Sequence, residues 1–332
     1  MSSIVARNLK PVDSLEVSVL VDNVVDPLST VPKGVTSEQA VLQANGLMVT
    51  SGHVRCCANH GLSLVITARI GSDIQLLLFD AGPEAYTIAR NGDRLRTPFG
   101  EVGAIVLSHG HWDHGGGLPE ALRLVVSANG RKPVPFHVNP GMFLTRGMRR
   151  SDGVVVPAEP VMNPVELERR GAATVNSPEA RLIMEEMFYL SGEIPRVTPY
   201  ERGLPPHMKL AADGTNWEPD PLILDERYVV AHVKGKGAVV FTACSHAGVI
   251  NVLTDALNVL GDVPLYAVMG GFHLSGAEVE AIIPDTIRDL GQFALRRIVP
   301  CHCTGWRALH ALAQVYKEDV LMPAAVGRKF AF

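Results

Sequence analysis

The run Ser108-His109-Gly110-His111-Trp112-Asp113-His114 sets three histidines and one aspartate within six positions, and Gly115, Gly116 and Gly117 follow directly. Imidazole nitrogen combined with carboxylate oxygen suits zinc, iron or manganese, whereas calcium and magnesium take oxygen alone. Four such side chains crowded together without a ligand would gain nothing, so the run reads as a metal centre rather than as a set of hydrogen-bonded structural histidines. The glycines read as the place where the backbone turns sharply beside it. Before the run, Glu101–Leu107 ends in a short apolar stretch of the kind a buried strand makes. The donors therefore lie just past a strand's carboxyl end, where sites in layered α/β folds are usually found.

Three more histidines hold the same place, each after a predicted strand and before a helix or turn: His246, His273 and His302. His246, beside Cys244 and Ser245 at a predicted helix start, reads as a ligand, and so does His302. His273 in Gly270-Gly271-Phe272-His273 is balanced between contacting substrate and packing, since paired glycines equally serve close approach. His137, His207, His232 and His310 read as structural or surface residues. The loop 26–58 carries His53, Cys56 and Cys57, and a packed loop with buried thiols is the better reading there. For substrate contact the candidates are Glu193 and Arg196, in Ser191–Arg196, and Trp217, in Gly214–Pro219. Arginine can hold a phosphate or carboxylate, and a loop tryptophan can stack on a flat ligand.

The elements that must carry these residues follow from pattern. Leu15–Val21 reads as a first strand, and Leu62–Ala68 with Ile74–Phe79 reads as a hairpin about Gly71–Asp73. Leu118–Val126 reads as a helix with proline in its first turn, ended at Asn129-Gly130, before a strand over Val134–Val138. Residues 140–227 are richer in Pro, Met and Arg and read as a substrate-side insertion or lid. Arg227–Val233 and Ala238–Ala243 form a second hairpin. Ser245 then caps a helix in which Val249, Leu253 and Leu257 recur, stopped by Gly261. Leu265–Met269, a helical stretch over Glu278–Leu290, and Arg297–Pro300 complete the chain up to His302.

On these residues the chain resembles the metallo-β-lactamase fold superfamily of metal-dependent hydrolases, whose HxHxDH signature stands here as His109, His111, Asp113 and His114. Phe79-Asp80-Ala81-Gly82-Pro83 is similar to the strand-ending Asp-x-Gly that precedes the signature in that superfamily. Gly192–Arg196, Ala243–Gly248, Gly270–Leu274 and Pro300–Gly305 resemble one branch, the dihydropterin ribofuranosyl-aminobenzene phosphate synthase type, over about residues 14–316. The chain also resembles chlorothalonil hydrolytic dehalogenase, another protein of this fold. The resemblance implies one α/β domain over residues 1–332, a four-layer αββα sandwich. It implies one metal on the first two signature histidines plus a third, and a second metal on Asp113, His114 and a late histidine. His246 and His302 are the late candidates. A bridging aspartate is common in the superfamily, but Thr242–His246 offers no carboxylate, so one ion or two is left open. The metal is expected to be Zn2+, with iron or manganese as alternatives. Asp80 is expected to orient a signature histidine and fix its tautomer.

The chemistry expected is hydrolysis by metal-bound hydroxide, since bound zinc lowers the pKa of its water from about 15.7 to about 7. Asp113 and His114 are the catalytic candidates, Asp113 as a ligand or as the acceptor of the water's proton. A phosphoester-bearing pterin-like compound or an activated aryl halide is the expected substrate. A mononuclear-iron dioxygenase and a non-catalytic metal-binding scaffold are the alternatives. The 332 residues carry a net charge of −4 with scattered basic residues, so nucleic acid is not an expected partner. The N-terminal residues lack the apolar run of a signal peptide, and no stretch reads as a membrane span, so the expected setting is the cytoplasm with a small-molecule substrate. Oligomeric state is left open, a homodimer being one option. Cys56-Cys57 and Cys301-x-Cys303 are not spaced like a disulfide framework and read as reduced thiols.

Overall fold

The computed structural model describes residues 5–46 and 49–332. Two sheets face one another. In the first, neighbouring strands run in the order Ala172–Asn176, Val134–Val138, Val102–Val106, Asp73–Phe79, Ser63–Ile70, Ser14–Val21, Lys329–Ala331, Val35–Thr36. In the second the order is Arg181–Ile183, Phe188–Leu190, Val229–Val233, Gly237–Thr242, Leu265–Gly270, Arg297–Pro300, with Pro11–Val12 also pairing onto Val229–Val233.

Side-chain alternation accounts for the layering. In Asp73–Phe79, Leu77 and Phe79 enter the core between the sheets while Leu76 and Leu78 face outward into a second core. In Gly237–Thr242, Val239 and Phe241 point to the central core and Ala238 and Val240 to a third. Strands that are apolar on both faces must be covered on both. Helices Ala85–Arg94 and Leu118–Ala128 cover the first sheet through Ile88, Leu118, Leu122 and Val125. Helices Val249–Leu260, Ile283–Leu290 and Trp306–Val315 cover the second through Leu253, Ala256, Ile283 and Leu312. The result is the expected four-layer αββα sandwich.

Some local expectations change. Ser245 does not cap the following helix: its hydroxyl bonds Thr242 Oγ1 and the Gly271 carbonyl, each at 2.8 Å. The helix starts at Val249, and the Glu201 carboxylate caps it from outside by accepting from the N–H groups of Ile250 (2.9 Å) and Asn251 (2.8 Å). Leu257 is exposed, because a strict four-residue spacing drifts around the helix and the inward stripe passes to Ala256 and Leu260. Residues 140–227, expected as one insertion, divide. Ala172–Asn176 extends the first sheet beside Val134–Val138, and Arg181–Ile183 and Phe188–Leu190 extend the second. Arg146–Arg149, Val155–Pro157, His207–Leu210 and Trp217–Pro219 form a separate small sheet.

Candidate metal centre

Four site residues that follow strands of the two sheets adopt left-handed backbone conformations: Asp80 (φ 61°), Ser245 (57°), His273 (45°) and His302 (48°). Such conformations cost of order 1–3 kcal/mol each outside glycine and persist where the surroundings fix them. Here they turn the chain abruptly at the strand ends, so that side chains from both sheets meet. The signature glycines work differently from expectation. Gly116 and Gly117 have φ of −62° and −82°, and a Cβ on them would meet the carbonyl oxygens of Pro83 at 1.9 Å and Ala81 at 2.1 Å. They are needed for close approach, not for a left-handed turn.

Hydrogen bonds fix which nitrogen of each histidine is available. Asp80 Oδ2 lies 2.7 Å from His114 Nδ1 and accepts its proton, which leaves Nε2 of His114 as the nitrogen available to a metal ion. Ser108 donates its hydroxyl to Asp80 Oδ2 (2.8 Å), so its oxygen accepts from His109 Nδ1 (2.8 Å) and Nε2 of His109 is bare. Asn23 accepts at Oδ1 from Gly61 N–H (3.1 Å) and donates through Nδ2 to the His302 carbonyl (3.1 Å). Its Oδ1, 3.0 Å from His302 Nδ1, therefore accepts there too, and Nε2 of His302 is bare.

These atoms converge. His114 Nε2 lies 3.2 Å from His302 Nε2, 3.1 Å from Cys244 Sγ and 3.6 Å from Asp113 Oδ2, and His302 Nε2 is 3.3 Å from the same Asp113 oxygen. Two imidazole nitrogens, a carboxylate and a sulfur gathered in a buried place make a donor set that a metal ion, displacing any proton on them, would hold together. A tetrahedral ion with bonds of about 2.0–2.3 Å has donor–donor edges of about 3.3–3.8 Å, close to these separations. A second group joins His109, Cys244 and His246, whose ligand atoms lie within 4.8 Å of one another. Both ring nitrogens of His246 are buried with no hydrogen-bond partner. His207 donates from Nδ1 to the Asp220 carbonyl (2.9 Å) and presents a bare Nε2 to His111 Nε2 at 2.8 Å. His111 then donates to His207, and its own Nδ1 faces His109 Nε2 at 3.1 Å. The donor set fits a metal ion.

The electrostatics agree. Burial pushes His109, His111 and His246 well below the usual imidazole range, which keeps them neutral donors. Burial would lower His114 too, but the carboxylates of Asp113 and Asp80 lift it to about 9, so in the absence of an ion its Nε2 holds a proton that a metal ion would displace. Asp113, although burial opposes it, is held well below the carboxylate range by His114 and His302. Positive charge is stabilised where the second sheet's donors meet the signature.

A cavity of about 450 Å³ opens on this cluster, its outer wall including His60, Trp112, Met148, Leu204 and His207. A larger one, about 710 Å³, lies on the other side of His302 beside Trp306, Met322 and Phe330, but Asp113, Cys244 and His246 face the smaller. The structure therefore gathers His109, His111, Asp113, His114, His246, His302 and Asp80, and places His273 against His246 with ring centroids 4.3 Å apart. Glu193, Arg196 and Trp217 do not line this cavity. Glu193 is exposed, and Arg196 donates to the carbonyls of Ile194 and Leu222, each at 2.6 Å, so its guanidinium braces a loop. Trp217 packs behind Gly147. Sequence reasoning missed Cys244 as a donor, Cys303 beside it, His207, His60 and Trp112. Only the adjacency of Cys244 to His246 signalled any of them.

No family model matches the chain. It is 28% identical over 265 residues, 79% of this chain and 86% of the relative, to the 7,8-dihydropterin-6-methyl-4-(β-D-ribofuranosyl)-aminobenzene-5'-phosphate synthase of Methanocaldococcus jannaschii. An uncharacterized protein of that organism is 28% identical over 269 residues, 81% of this chain and 93% of its own length. Among solved structures, a metal-dependent hydrolase of the β-lactamase superfamily superposes with TM-score 0.65 at 20% identity, over 95% of this chain and 98% of that one. Unliganded yeast PDE1 gives 0.53 at 10% identity, over 96% and 100%. The four layers are thus the metallo-β-lactamase fold, and the sequence is similar to the pterin-phosphate synthase branch.

Proposed function

We propose that this chain is a metal-dependent hydrolase of a small molecule, its ion or ions held by His109, His111, Asp113, His114, His246 and His302. One observation carries the reading: hydrogen bonds to Asp80, Ser108 and Asn23 leave the Nε2 atoms of His114, His109 and His302 available to a metal ion, and those of His114 and His302 turn toward one carboxylate oxygen. Zinc is the ion assigned, since nitrogen and sulfur donors outnumber oxygen, with iron or manganese as the alternatives. Such an ion, when bound, polarises an electrophilic centre and makes water a nucleophile at neutral pH. The chain's own residues do the rest. Asp80 holds the orientation of His114 directly and that of His109 through Ser108. Asp113 Oδ2 turns toward His114 and His302 as a ligand atom, with His60 Nε2 3.5 Å away toward solvent. Trp112 and Met148 give the mouth an apolar face on which a flat ring can lie.

For the substrate we assign a flat ring system bearing a phosphoester, because the synthase relative has a product carrying pterin, aminobenzene and phosphate. One observation favours a second reading, an activated aryl halide: the residues lining the cavity include no Lys or Arg to counter a phosphate. The setting assigned is cytoplasmic; among the described residues no helix is long and apolar enough to cross a membrane. The test is elemental analysis of protein purified without added metal, followed by a screen of phosphoesters, lactones, β-lactams and haloaromatics. Stoichiometric zinc and turnover abolished by chelation are expected. Absence of zinc, iron and manganese would overturn the reading, and turnover that consumes oxygen would replace it with a dioxygenase.

A further inference from the structure

The strand Gly237–Thr242 ends in Ala243-Cys244-Ser245-His246, where many proteins of this fold were expected to supply a bridging carboxylate and this chain has none. Among the described residues, Cys244 Sγ is the one ligand atom common to every candidate cluster: with Asp113, His114 and His302, with His109 and His246, and with His273 and Cys303. It lies 3.1 Å from His114 Nε2 and is buried. His246, which shares a group with Cys244 and His109, is 3% exposed, with both ring nitrogens unpartnered. Buried polar atoms are almost always satisfied, so two orphaned nitrogens beside a sulfur point to a missing cation in that group too.

We infer that Cys244 is a metal ligand and that its thiolate bridges two ions, one on Asp113, His114 and His302 and the other on His109 and His246, doing the work of the absent carboxylate. The inference rests on the metal-centre reading above. Two divalent ions held close in a low-dielectric site repel one another, and an anion shared between them offsets that repulsion. Among the ligands assigned to the two ions, only Asp113 and Cys244 can carry negative charge, and only Cys244 reaches both groups. A bridging thiolate also makes the site softer than an all-N/O one, favouring zinc, iron or cobalt over manganese and magnesium. Cys303 is a separate thiol. It shares a group only with Cys244 and His273, and its Sγ donates to the Cys244 carbonyl at 3.5 Å.

The experiment is titration of the metal-free full chain with Co2+, read by absorbance and by bound-metal analysis. Expected for the natural chain is an intense near-ultraviolet sulfur-to-cobalt charge-transfer band that persists in Cys303→Ser. In Cys244→Ser the band should vanish, the stoichiometry fall by one ion per chain, and affinity drop by at least about tenfold, the scale on which even indirect partners of a ligand act. Visible cobalt bands without the charge-transfer band in the natural chain overturn the thiolate ligand while leaving the metal centre intact. This measurement decides the matter even if Cys244→Ser does not fold. A band lost in Cys303→Ser but kept in Cys244→Ser assigns the sulfur wrongly and overturns the inference. Failure of the natural chain to bind Co2+ or Zn2+ at all overturns the metal-centre reading itself.

Discussion

Asp80 governs more of this site than any single donor. Its carboxylate accepts from Ser108 N–H (2.7 Å), from the Ser108 hydroxyl (2.8 Å) and from His114 Nδ1 (2.7 Å), so one buried side chain fixes two tautomers. Asp80→Asn replaces one acceptor oxygen with a donor and allows the wrong nitrogen to face the ion. We expect metal affinity, measured by competition with a chelator, to fall about 10–100-fold with the fold retained; unchanged affinity would mean the tautomers are fixed elsewhere. His246 and His273 give a second comparison at this scale. His246 belongs to the group with His109 and has two orphaned nitrogens, whereas His273 groups only with the thiols. His246→Ala should therefore lose more bound metal than His273→Ala, and the reverse order would place the third donor on the Gly270–Leu274 segment.

Among the elements, helix Val249–Leu260 has a cap that titrates. The Glu201 carboxylate that accepts from Ile250 and Asn251 N–H is buried, and burial raises it from 4.5 to about 7 despite those bonds. The folded chain thus holds a proton between these values that the unfolded chain has released. The sign follows from linkage: this contribution to stability is complete below 4.5 and declines as pH rises to about 7, at up to about 1.4 kcal/mol per pH unit. Glu201→Gln removes the ionisation. Denaturant unfolding at the two ends of the window should show the variant gaining on the natural chain as pH rises. A difference in stability that does not change with pH would show that the carboxylate is not displaced from its ordinary value.

For the whole molecule, an ion held at the proposed centre would act as a clamp between the sheets. His109–His114 follow a strand of the first sheet and His246 and His302 follow strands of the second, so an ion among them ties together parts of the chain far apart in sequence. Binding to the folded state alone stabilises it by RT ln(1 + [L]/Kd), about 2.7 kcal/mol at a hundredfold excess over Kd. A strong chelator should lower Tm by several degrees, and added Zn2+ should restore it in a concentration-dependent way, as followed by thermal denaturation. A Tm indifferent to both would mean that the ion does not bridge the halves.

The sequence by itself determined the layered fold and the signature end of the site. Strands such as Asp73–Phe79 and Val134–Val138 were legible because alternation and turn residues are local, and His109–His114 were legible because the donors are neighbours in the chain. His246 and His302 could be found because each follows a strand, a position that topology makes equivalent to the signature. What only the tertiary structure decided are the meetings of residues with no local pattern to announce them. His207, read as structural, faces His111 at 2.8 Å because the small sheet made from 146–219 returns it to the site. Arg196 reads as an anion holder by its charge, yet its guanidinium is taken by two carbonyls, and Trp112 rather than Trp217 lines the cavity. Cys244 was seen only as a neighbour of His246. That its sulfur lies 3.1 Å from a histidine 130 residues away is set by chain packing and is not recorded in a linear pattern.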